Sequence, residues 1–345
     1  MPLRLGLPAP WFTAPTPSNP EFVFDSAAGR YVLMLFLPGE AEARTAALRA
    51  LAARQSLFDD RKACAFVVAP DAGLEGARDL RGLRWLLDRD GAIAARFGGA
   101  PHWLLLDPTL RVMASEPIEA AAAMLDRIAA LPPPGEHAGG PVTAPVLIAP
   151  RIFEPELCAA LIGLHEADGG AFAGVSSDGG ERTIPAMAPR ERRRDIVLTD
   201  PELLEAVTVR LERRLFPLIK LGFGFEVTRV ERHLVSCYDA AADDAVFDAR
   251  RDNTTPGTAH RRFACSLNLN AEFEGGDLRL PEFGPATYRA PPGGAVVHSC
   301  ALMGEATRVT SGRRYALLSY FYDEDAAKVR EAYEARMAAT GPAAA

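Results

Sequence analysis

The chain has 345 residues, 48% of them apolar and 24% charged, and a formal net charge of −7 at pH 7. That length exceeds one ordinary hydrophobic core and predicts two domains. The acidic balance excludes an electrostatic footprint for nucleic acid or an anionic membrane surface.

The opening MPLRLGLPAPWF has no apolar run long enough for a signal peptide, and no later stretch approaches a membrane span, so a cytoplasmic location is expected. From residue 30 the sequence alternates between two patterns. RYVLMLFL (30–37) and ACAFVVA (63–69) are continuous apolar runs of the kind found in buried central strands. EARTAALRALAARQSLF (42–58) between them has helical spacing. LRWLLD, a short helix at GAIAARFG, the strand HWLLLD (102–107) and the helix IEAAAAMLDRIAAL follow. Strands alternating with helices predict an α/β layer domain over 1–130. The Pro/Gly-rich segment 131–144 reads as a linker.

Beyond the linker the order changes. PELCAALIGLHEA (155–167) and PELLEAVTVRLERRLFPLIKL (201–221) are amphipathic helices. From 225 short strands dominate: FEVTRVERHLVSCYD, RRFACSLNLN, GGDLRLP, GGAVVHS and RRYALLSYFYD. Helices followed by regularly spaced strands predict a sandwich or jelly roll with packed helices over 145–330, and 331–345 a helical or disordered tail. The five cysteines (64, 158, 237, 265, 300) form no CxxC pair, which argues against a zinc ribbon or a disulfide framework and for small buried core residues.

GLPAPWFTAP followed by AGRYVLMLFLPGE resembles the start of a peroxiredoxin of the thioredoxin-like fold. The resemblance implies a helix after that strand whose first turn activates a peroxidatic cysteine. Here the segment is PGEAEARTAALRAL, without a cysteine, and Cys64 lies in an apolar strand. The fold is therefore expected without the peroxidase chemistry, as a docking or stabilising module.

The second half resembles the 2-oxoglutarate/Fe(II) oxygenases of the prolyl 4-hydroxylase type, from about Pro145 to Asp323. The likeness rests on ERHLVSCYDA, VFDARRDN, FACSLNLNAEFEGGDLRLP and PPGGAVVHSCALMGEATRVTSGRRYALLSYFYD. It implies a double-stranded β-helix, and an Fe(II) held by two histidines and a carboxylate beside 2-oxoglutarate. The carboxylate maps onto Asp252, the first histidine onto Arg250 and the second onto Gly304. Arginine does not deprotonate to ligate, and glycine has no side chain. The positions implied for the cosubstrate are kept as Tyr238 and Arg314.

Arg250 reads either as an internal counter-ion to Asp252, two residues along an extended strand, or as a surface residue facing solvent. His298 is the foremost candidate for a relocated metal ligand, ahead of His260 and His233, while His102, His137 and His165 lie outside this frame. The functional classes that follow are a degenerate oxygenase without ordinary Fe(II) hydroxylation, an oxidoreductase with a rearranged site using His298 and Asp252, and a non-catalytic module. Such a module would bind 2-oxoglutarate, another small acid or a protein partner.

Overall fold

A computed structural model describes residues 3–69, 78–179, 182–187, 193–241 and 247–340. The chain divides into two compact units, one running to Thr143 and including Pro281–Pro285, the other formed by Ala144–Leu280 and the rest of the chain.

The first unit is built on a five-stranded mixed sheet. Its elements are β1 (Tyr31–Phe36), α1 (Ala41–Ala53), β2 (Ala63–Ala69), β3 (Leu83–Leu87), α2 (Ala92–Arg96), β4 (His102–Leu106), β5 (Val112–Pro117) and α3 (Ala121–Ala129). The strand order is β3-β2-β1-β4-β5, with β1 and β3 parallel to β2, and β4 antiparallel to both β1 and β5. Every residue of β1 and β2 is buried, as continuous apolar runs in the middle of a sheet must be. Helix α1 is shorter than its periodicity predicts. It ends at Ala53, and residues 55–57 form a separate 3₁₀ turn. Its first turn is capped by Glu40, whose carboxylate accepts from the backbone N–H groups of Glu42 and Ala43.

The second unit is rich in antiparallel sheet. It comprises β6 (Val146–Ala149), α4 (Pro155–Asp168), β7 (Ala171–Phe172), β8 (Arg194–Val197), α5 (Pro201–Arg210), α6 (Phe216–Phe223), β9 (Arg229–Asp239), β10 (Phe247–Arg250), β11 (Phe263–Asn268), β12 (Phe273–Gly275), β13 (Leu278–Arg279), β14 (Thr287–Tyr288), β15 (Ala295–Ser299), β16 (Gly304–Ala306), β17 (Val309–Tyr322) and α7 (Glu324–Thr340). A larger sheet runs β6-β15-β11-β17-β9-β8-β7 with β12 added beside β17, and a smaller one runs β10-β16-β13-β14. Neither closes into a barrel among the described residues. The helix expected over 201–221 contains one π turn at Leu211–Leu215 between α5 and α6. Pro217, which lacks an N–H, follows it and accounts for the interrupted ladder. The tail is helical to Thr340, and residues 341–345 lie outside the described residues.

Period-two alternation divides the larger sheet into two chemistries. Cys265, Leu267, Val297, Leu317, Phe321 and Val235 join Leu157, Leu161, Val207, Leu211, Leu215 and Ile219 of the helices in one core. The residues between them in sequence point the other way, toward the site described next.

Candidate functional site

A cleft of about 570 Å³, counting its open mouth, lies in the second unit. Strands of both sheets line it: Tyr238 from β9, Ser266 from β11, His298 from β15, Arg314 and Tyr320 from β17, Leu278 from β13 and Gly304 from β16, with Asp252 following β10. Of the residues singled out from sequence, Asp252, Gly304, His298, Tyr238 and Arg314 therefore meet at one cavity. Arg250 lines an adjoining one.

Arg314 is 5% exposed. Its Nε donates to Asn268 Oδ1 at 3.0 Å and its Nη2 to Ser266 Oγ at 2.6 Å, and its guanidinium lies 5.1 Å from the centre of the Tyr238 ring. Among the described residues no carboxylate forms an ion pair with it, although the charge of Asp277 acts on it from further away. Burial pushes its pKa down, while the neighbouring Tyr238 works against that. A buried guanidinium held by neutral partners is costly, and it is poised to accept an anion. The glycine pair before Asp277 makes room for it. A Cβ on Gly276, whose φ is +71°, would stand 2.9 Å from Arg314 Cδ. Arg193 supplies a second buried guanidinium, bidentate to Asp195 at 2.8 and 2.7 Å, with Nη1 3.5 Å from the Tyr238 hydroxyl.

The counter-ion expectation for Arg250 does not hold. Strand β10 ends at Arg250, so Asp252 sits in the following turn rather than on the same pleat. The side-chain partner of Asp252 is Tyr320, whose hydroxyl donates to Oδ1 at 3.3 Å. Arg250 instead pairs in register with Gly304 across the smaller sheet, so the two positions at which the resemblance implied histidines lie side by side. Residue 246 of the motif lies outside the described residues.

His298 occupies the space Gly304 leaves. Its Nε2 lies 3.1 Å from where a Cβ on residue 304 would stand, and its Nδ1 is buried without a partner. Burial lowers its pKa, opposed by the charge of Asp252. His233 and His260 are committed elsewhere. His233 Nδ1 sits 2.6 Å from Ser319 Oγ with its pKa lowered by burial to about 4, and His260 Nε2 lies 3.2 Å from Glu231 Oε2. Arg261 clamps the same carboxylate at 2.6 and 2.8 Å. Burial alone would raise the Glu231 pKa, but hydrogen bonds from His260 and Arg261 hold it at about 2.

The residues present do not fit an Fe(II) centre. Among the described residues no three His, Cys, Asp or Glu side chains converge on a metal-sized point. The acid-binding half of the expected site fits better, because Arg314 is buried, oriented and, among the described residues, without an ion-paired carboxylate. Sequence reasoning missed Arg193, Ser266, Asn268 and Tyr320. Ser266 and Asn268 were detectable, since in FACSLNLN they alternate with leucines at strand period.

The adjoining cavity is lined by the guanidinium-bearing residues Arg193, Arg232, Arg250, Arg251 and Arg261 against Asp195 and Asp252, and it shares Arg193, Asp252 and Tyr320 with the first. In the first unit, all of β2 is buried, and burial pushes the Cys64 thiol up to about 12. All five cysteines are buried and free. No helix among the described residues is long and apolar enough to cross a membrane.

No family model and no curated protein matches the sequence. Solved structures similar to this chain include a prolyl-4-hydroxylase from Pseudomonas putida, 14% identical over 53% of this chain and 94% of that one, with a TM-score of 0.40. A Trichoplax adhaerens prolyl hydroxylase bound to a peptide fragment of the hypoxia inducible factor oxygen degradation domain is 14% identical over 55% of this chain and 87% of that one, with a TM-score of 0.39. A viral collagen prolyl hydroxylase from Paramecium bursaria Chlorella virus-1, in complex with 2-oxoglutarate, is 11% identical over 51% of this chain and 94% of that one, with a TM-score of 0.38.

Proposed function

We propose that the second unit is a degenerate member of the 2-oxoglutarate/Fe(II) oxygenase superfamily, prolyl 4-hydroxylase-like, that binds a small carboxylic acid without Fe(II) hydroxylation. The motifs from ERHLVSCYDA to RRYALLSYFYD carry the family reading, and the two facing sheets are consistent with a double-stranded β-helix. The observation that carries the function is Arg314. It is buried and held in a fixed pose by Ser266 and Asn268, lines the cleft, and among the described residues has no ion-paired carboxylate. In such surroundings a charge-assisted, bidentate contact to a ligand carboxylate is far stronger than in water.

The chemistry available to the chain's own residues is recognition. Arg314 anchors a carboxylate, Tyr238 and Arg193 wall the anchor, and Tyr320 with Asp252 closes the opposite end. In the same reading the first unit is a peroxiredoxin-like domain of thioredoxin fold without its peroxidatic thiol. Its strand order and the absence of a cysteine from the first turn of α1 support this assignment.

Calorimetric titration of 2-oxoglutarate into the full chain tests the function. Arg314→Gln is expected to weaken binding at least a hundredfold, and Arg314→Lys, which keeps the charge but loses the fork, to weaken it less. Unchanged affinity in Arg314→Gln would move the acid site elsewhere. Iron-dependent formation of succinate by the wild type would favour a rearranged catalytic centre using His298 and Asp252.

A further inference from the structure

The inner end of the cavity is where an iron would be expected, and a different group stands there. His298 is 6% exposed, its Nδ1 lies buried without a partner, and its Nε2 stands beside Gly304, 3.1 Å from where a Cβ there would be. A neutral imidazole carries one N–H. Hiding an unpaired N–H is costlier than hiding a lone pair, so the proton belongs on Nε2, the nitrogen beside the cavity.

Strand register sets the spacing. Ala264 is flanked by His298 on one neighbouring strand and Tyr320 on the other, so these three form one row across the sheet. Ser266, which holds the head of Arg314, lies two residues further along the same face. The step between the rows is about 7 Å. The guanidinium and the imidazole thus line one cavity from neighbouring rows of the same sheet face.

We infer that His298 takes the place of the metal in ligand recognition. It donates from Nε2 to the 2-oxo oxygen of an acid whose far carboxylate rests on Arg314, so binding is independent of any metal ion. Residue 304 is glycine because that imidazole needs the room. Even an alanine Cβ would meet Nε2 at 3.1 Å while also touching Leu278 Cδ1 and Leu280 Cδ2 at 3.6 Å. A histidine restored at 304 would displace His298 instead of adding to it. The inference rests on the acid-binding reading above and names the group that selects among acids.

The test compares 2-oxoglutarate with glutarate, which has the same length and charge but no 2-oxo oxygen, by calorimetry on the full chain in excess EDTA. The wild type is expected to prefer 2-oxoglutarate by about tenfold. His298→Ala should bind both acids equally while still binding glutarate as the wild type does. Gly304→Ala, which pushes the imidazole aside, should lose the same preference, and His298→Gln, which keeps an N–H donor, should retain part of it. Melting curves matching the wild type establish that each variant is folded. An undiminished preference in folded His298→Ala, or a preference that vanishes in EDTA, overturns the role of His298 and leaves the Arg314 anchor standing. Wild-type protein that binds neither acid overturns both.

Discussion

The central strands of the two units are buried to a similar degree but carry different cargo. In the first unit, Tyr31–Phe36 and Ala63–Ala69 present no polar side-chain group except the Tyr31 hydroxyl and the Cys64 thiol. In the second, β11, β15 and β17 bury Asn268, His298 and Arg314 and half-bury Ser266 and Tyr320 on one face, while most of their other face joins an apolar core. Burial removes a polar group from water at a cost that only a partner offsets. Most polar groups in the second unit have one. Among the described residues four buried side-chain atoms have no hydrogen-bond partner: the Tyr31 hydroxyl in the first unit, and His260 Nδ1, Arg279 Nε and His298 Nδ1 in the second. Of these only His298 lies at the cavity, where it stands with Arg314, a buried guanidinium without an ion-paired carboxylate among the described residues; the first unit's sheet buries no charged group of that kind.

The sharpest contrast is in how each unit responds to truncation. Trp103 is fully buried in the first unit, with its indole N–H donating to the Ile118 carbonyl at 2.9 Å. Trp103→Ala is expected to cost that unit's unfolding transition about 3–5 kcal/mol, with little dependence on pH. A pH-dependent loss in this variant would mean that its sheet is not the apolar core described.

The second unit should instead be sensitive to acid. Glu231 is held at about 2, below its usual 4.5, so its contribution is complete above the usual value and lost as pH falls toward about 2. That contribution is roughly 3 kcal/mol. His233 acts in an earlier window. Buried neutral with a pKa of about 4 against the usual 6.5, it favours the folded state above 6.5 and ceases to do so as pH falls to about 4. Chemical denaturation between pH 7 and 3 should show both slopes, and Glu231→Gln should remove the lower one while destabilising the protein at neutral pH. A flat profile for the wild type would contradict the paired, buried geometry of these groups.

The smallest effect concerns Cys64. With its pKa pushed up to about 12 by burial, the thiol should resist alkylation until the unit unfolds. Cys64→Ala should change stability by about 1 kcal/mol. Hydrogen peroxide consumption that disappears in this variant would contradict a redox-silent first unit.

Sequence reasoning reached the elements whose pattern is local. The apolar runs of β1 and β2, the alternation in FACSLNLN and the helical spacing of 155–167 each reflect burial on one or two faces, which periodicity reports directly. It placed Tyr238, Arg314, His298, Gly304 and Asp252 as candidates, and they line one cavity. The pairing of Asp252 was not legible. That carboxylate meets Tyr320, far away in sequence, because β10 stops at Arg250, and nothing local fixes where a short strand ends. The packing of His298 against Gly304 was equally hidden. The two are six residues apart in sequence but on different sheets, and only the turn between them decides which way the imidazole faces. Arg193 lies in the run ERRRD, where no periodicity separates an inward arginine from its solvated neighbours.

Metal binding by the wild-type chain tests the central claim most directly. Chelator-stripped protein would be titrated with Mn(II), and anaerobically with Fe(II), each with and without 2-oxoglutarate, following manganese by electron paramagnetic resonance and iron by calorimetry. The expected result is no stoichiometric binding of either ion, with 2-oxoglutarate heat unchanged by the metal, because Asp252 has no two histidines beside it. One tightly bound ion per chain that strengthens 2-oxoglutarate binding, and is lost in Asp252→Ala, would show that this pocket holds a metal after all.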